Sequence, residues 1–90
     1  MKEINIAQFR KMFLNAKYQF CIPETSKHYI IQSTTNCPFR VVFSCNDDRI
    51  IVSGIENIFI DENEEYLRFK TENYLTGTQY TYNFEIIKIS

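Results

Sequence analysis

The stretch FRVVFSCNDDRIIVS, residues 39 to 53, decides the fold. Phe39, Val41, Phe43 and Cys45 alternate with Arg40, Val42 and Ser44, the two-residue period of a strand with one face in a core and one in solvent. Asn46, Asp47 and Asp48 then form a cluster of turn residues, and Arg49 to Ser53 supplies a returning arm rich in β-branched side chains. Together they read as a β-hairpin.

The same period extends to both sides. Upstream, His28 to Thr34 is rich in β-formers. Downstream, Gly54 breaks the run, Asn57 to Asp61 reads as a strand, and Asp61 to Glu64 as a turn. Tyr66 to Thr71 follows with Leu67 and Phe69 on one face, then a loop from Glu72 to Thr78 containing Gly77. In the last strand Tyr80, Tyr82, Phe84 and Ile86 alternate with Thr81, Asn83 and Glu85. These connections are short, and no second helix is available to cross over between parallel strands, so neighbours should be antiparallel, a meander over about 28 to 89.

Before Pro23 the period changes to that of a helix. Ile6, Phe9, Phe13, Ala16 and Phe20 recur at spacings of three and four, with Arg10, Lys11 and Lys17 on the flanks. Asn5 is a good N-cap, Gln8 stands where it can bond back to the cap, Ile4 can pack on Phe9, and Lys17 complements the helix dipole. The helix is expected over about residues 5 to 19. The expected fold is therefore α+β: one N-terminal amphipathic helix packed on a curved antiparallel sheet of five or six strands, a single domain over residues 1 to 90.

Composition fits one core. The chain has 90 residues, 44% of them hydrophobic, with a net charge of −1, which excludes a doubly wound nucleotide-binding fold, an α/β barrel and intrinsic disorder. Charge is unevenly shared, running from +3 over residues 1 to 23, through 0 over 24 to 55, to −4 over 56 to 90. The first 23 residues carry Lys2, Arg10, Lys11 and Lys17 among the apolar positions and lack the uninterrupted apolar run of a secretory signal; no stretch approaches the roughly 18 apolar residues of a membrane-spanning helix. Three cysteines, an odd number, without a CxxC pair suit reduced thiols in a cytoplasm. The 13 Ile and 8 Asn against only 2 Ala and 2 Gly point to AT-rich codons and a low-GC bacterial host.

Each candidate chemistry has a plain competitor. Cys21, His28, Cys37 and Cys45 are suitable zinc ligands by type, but their spacings follow no finger or ribbon, and small buried hydrophobes account for the thiols. A Cys21 nucleophile with His28 as base is conceivable at a separation of seven residues, but no third group orients the imidazole, and the chain has neither a serine elbow nor a glycine-rich phosphate cradle. Asp61, Glu62, Glu64 and Glu65 lack the ligand spacing and central glycine of a calcium loop. No cofactor and no metal is expected. Arg10, Lys11 and Lys17 are too few for direct nucleic-acid or membrane binding and fit a solvated helix flank.

Two features stand out as partner-binding residues. The turn with Asp61, Glu62, Glu64 and Glu65 gathers four carboxylates in five residues, a local mimic of phosphates suited to a basic groove. Tyr74, in the loop before the last strand, has no evident core role, and tyrosine is enriched at interfaces. In size, single-domain build and AT-rich composition the chain is similar to the small inhibitors carried by phages and mobile elements, including anti-CRISPR proteins, a likeness that rests on no motif. It implies a small non-enzymatic protein-binding module that covers the working surface of a host nucleic-acid-handling protein. The other readings are a homodimer or larger homo-oligomer paired through an edge strand, and a small thiol-dependent enzyme.

Overall fold

A computed structural model of the chain describes residues 1–14 and 17–89. It is α+β, with the elements β1 (Lys2–Ile4), α1 (Ile6–Phe13), β2 (Tyr18–Cys21), β3 (His28–Asn36), β4 (Phe39–Cys45), β5 (Asp48–Val52), β6 (Ile55–Ile60), β7 (Tyr66–Glu72) and β8 (Gln79–Lys88). The strands form one eight-stranded sheet in the order β1-β6-β7-β8-β2-β3-β4-β5, with every neighbouring pair antiparallel. The count of five or six strands is thus corrected to eight, and the additions are β1 and β2, on either side of the helix.

The helix is the second correction. It starts as expected: Asn5 Oδ1 accepts from the Gln8 N–H at 2.8 Å, and Gln8 Oε1 accepts from the Asn5 N–H at 2.9 Å. It ends at Phe13 after eight residues, however, and not near residue 19. Tyr18–Cys21 instead pairs with β8 on one side and β3 on the other, so a sheet ladder on both edges outweighs the helical spacing of a segment whose Tyr, Phe and Cys suit a strand. Phe20 still reaches the core, 1% exposed, but from β2. Ile6, placed on the apolar stripe, is 43% exposed, Ala16 lies outside the described residues, and Arg10 and Lys11 occupy the last turn in place of Lys17.

Two meanders, β3-β4-β5 and β6-β7-β8, are joined by β2, and β5 and β6 do not pair although only Ser53 and Gly54 separate them. The aromatic core explains why. On a flat sheet β4 and β8, three strands apart in the order, would be separated by about 14 Å. Yet the rings of Phe43 and Phe84 stack with centroids 4.4 Å apart, and Phe43 lies 6.1 Å from Phe69 on β7. The two meanders therefore face each other across one core. Register shifts between Ile31 and Ser33 and between Ile55 and Asn57 each add a residue to one strand, which locally increases bend and twist.

The helix seals this core. Phe9, fully buried, meets Phe39 of β4 at 5.9 Å and Phe69 of β7 at 5.6 Å, one ring from each meander. Phe13 packs on Phe20 at 5.5 Å, and Ile4 is buried in the same cluster. The seven phenylalanines other than Phe59 all lie in the core. The Arg10 guanidinium lies over the Phe39 ring and bonds to Asn36 Oδ1, holding the helix to the β3–β4 hairpin. No helix among the described residues is long and apolar enough to cross a membrane.

Candidate interaction surface

The acidic turn joins β6 to β7. One of its four carboxylates is tied into the backbone of the turn. Asp61 Oδ1 accepts from the N–H groups of Glu65 at 2.6 Å and Tyr66 at 2.8 Å, and the Asp61 carbonyl accepts from the Glu64 N–H at 3.1 Å. Desolvation pushes the Asp61 carboxyl up, but the backbone N–H groups of Tyr66, Glu65 and Asn63 outweigh it and hold the group below its ordinary value. Asp61 thus organises the turn, while Glu64 takes a left-handed φ of 56°. Glu62, Glu64 and Glu65 are exposed, and among the described residues none of their carboxylates has a hydrogen-bond or ion-pair partner. They form a solvated carboxylate triplet.

The Tyr74 loop connects β7 to β8. It is closed on itself: the Asn73 N–H donates to the Thr78 carbonyl at 2.9 Å, the Gly77 N–H to the Asn73 carbonyl at 2.7 Å, and the Leu75 N–H to Asn73 Oδ1 at 3.0 Å. Gly77, at φ 72°, supplies the left-handed residue that this closure needs. The loop presents two large apolar side chains outward, Tyr74 at 88% exposure and Leu75 at 78%. Beside them Tyr80, at the start of β8, is 60% exposed. A shallow groove of about 460 Å³ runs under the loop, lined also by Arg40, Gly54 and Tyr82.

The structure does not bring the acidic turn and Tyr74 together. They lie at opposite ends of β7, whose seven residues span roughly 20 Å. Asp48 forms an ion pair with Lys27, and that contact raises the Lys27 pKa. Sequence reasoning misses Leu75 and does not single out Tyr80 among the tyrosines too numerous for a small core. Leu75 shares its loop with Tyr74, a signal that was available. Tyr80 belongs to an alternating apolar series, yet at the start of its strand, beside the loop, it is exposed.

The other candidates have local roles. Cys21 and His28 are direct cross-strand partners, but Cys21 Sγ, buried, contacts the carbonyls of Ile22 and Thr25 at 3.5 Å, while His28 Nδ1 lies 3.0 Å from Gln19 Oε1. Cys37 is exposed, Cys45 is half-buried, and all three thiols are free. Among the described residues no three His, Cys, Asp or Glu side chains are grouped to hold a metal ion.

No family model matches the chain, and neither curated proteins nor solved structures include a significant match.

Proposed function

We propose that this protein is a non-enzymatic binding module that covers a surface of another protein, with the Tyr74 loop as the anchor and the acidic turn as an electrostatic guide. One observation carries the reading: an internally hydrogen-bonded loop holds Tyr74 and Leu75 almost fully in solvent beside a groove. Exposing two such side chains has no benefit to folding, whereas a preordered aromatic contact loses little entropy on binding. The solvated Glu62, Glu64 and Glu65 suit a partner with a basic, nucleic-acid-binding groove, where they raise the association rate. On this reading the module acts in the cytoplasm of a low-GC bacterial host as a mobile-element inhibitor, without direct nucleic-acid or membrane contact.

The test is capture from a low-GC bacterial lysate followed by surface plasmon resonance on the captured protein. Tyr74→Ala should weaken binding mainly through a faster off-rate. Glu62→Gln, Glu64→Gln and Glu65→Gln together should slow the on-rate at low salt and leave it unchanged at high salt, with Asp61 kept because it builds the turn. Full binding by the Tyr74→Ala/Leu75→Ala variant, folded by circular dichroism, would remove the loop from the interface and defeat the proposal.

A further inference from the structure

The two ends of the strand order are not alike. β1 has three residues, and two of them are the exposed Lys2 and Glu3, the shortness and charge that keep a sheet edge from pairing with another chain. β5 has five residues, DRIIV, and pairs with β4 alone; among the described residues no other hydrogen bond reaches its backbone. Ile50, Ile51 and Val52 carry no lysine, proline or bulge to block the open edge, and Ile51 is 54% exposed on the outward face.

We infer that β5 is the contact between two copies of this chain, paired antiparallel about a two-fold axis at Ile51. A two-fold axis perpendicular to the sheet keeps inward faces with inward faces, so it must pass through a residue paired with its own copy. Centred on Arg49, it sets two guanidinium groups against each other. Centred on Ile50, it sets two charged side chains against apolar ones, Arg49 against Ile51 and Asp48 against Val52. Centred on Ile51, it sets Ile51 on Ile51, Ile50 on Val52, and Arg49 opposite the small polar Ser53. Only this last register places apolar on apolar throughout the middle of the strand with no like-charge pair. The occupant is a second copy because the strand is complementary to itself in this register. The proposal rests on the strand edge and goes beyond the Tyr74 surface.

Sedimentation velocity from about 5 to 500 µM, a span covering weak dimers, tests it on the intact chain. The expected result is a concentration-dependent monomer–dimer equilibrium that Ile51→Lys shifts to roughly tenfold higher concentration or more, with an unchanged circular dichroism spectrum. In a Cys37→Ser background, mild oxidation of Ile51→Cys should link two chains through the introduced thiols, whereas Arg49→Cys should not link to itself. A monomer at every concentration, a dimer indifferent to Ile51→Lys, or a bridge at residue 49 and not at 51 would each overturn the proposal.

Discussion

Replacing Gly54 by alanine would place a methyl carbon 2.4 Å from the backbone carbonyl oxygen of Glu72, at a residue whose φ is 64°. Two costs combine there. A side chain in the left-handed region costs about 1–2 kcal/mol, of which about 0.4–1 kcal/mol is offset because alanine has less freedom to lose from the unfolded chain. The clash adds roughly 1–3 kcal/mol, as overpacking does. It cannot be relieved by a side-chain rotation, since the obstructing atom is main chain, and the same two residues are joined by the Glu72 N–H donating to the Gly54 carbonyl at 2.9 Å. Gly77 is the internal control, with a similar φ of 72° and nothing within 4 Å of an added Cβ. The expected losses are about 2–4 kcal/mol for Gly54→Ala and about 1 kcal/mol or less for Gly77→Ala. Urea denaturation followed by circular dichroism measures both, provided the slopes agree. Equal losses would refute the reasoning, because they would mean that the β5–β6 connector does not lie against the end of β7 and that the two meanders are not closed against each other at this corner.

Two further outcomes follow from the core and the acidic turn. Phe43→Ala should cost about 3–5 kcal/mol, since its ring is fully buried between the meanders, and Phe59→Ala clearly less, since Phe59 is half-buried on the outer face with the Lys70 ammonium 5.7 Å from its ring; comparable losses in denaturant midpoint would contradict the facing arrangement. Asp61 contributes stability that is present above its ordinary pKa of 3.8 and lost as pH falls through its lower folded-state value, so Asp61→Asn should flatten the acid limb of midpoint against pH between about 2 and 5; an unchanged limb would show that the carboxylate does not hold the turn.

The β-rich architecture was legible residue by residue. Alternation places β4, β7 and most of β8, the Asn5–Gln8 pair marks the helix start, and Tyr74 reads as an exposed aromatic because its loop has no period into which it could fit. These signals are local: pleat and helix periods, cap chemistry and turn residues act within a few positions of the chain. The alternation was not sufficient to find the edge at β5, the exposure of Tyr80 or the role of Asp61. Those depend on which distant segment lies alongside, as does the strand identity of Tyr18–Cys21, where ladders to β8 and β3 overrode a helical spacing of Phe13 and Phe20 that leads both rings to the same core. The facing of the two meanders is likewise tertiary, set where Phe43, Phe84, Phe69 and Phe9 exclude water together. Hydrophobic burial is non-directional, so a sequence can say which residues seek a core but not which residues they will meet there.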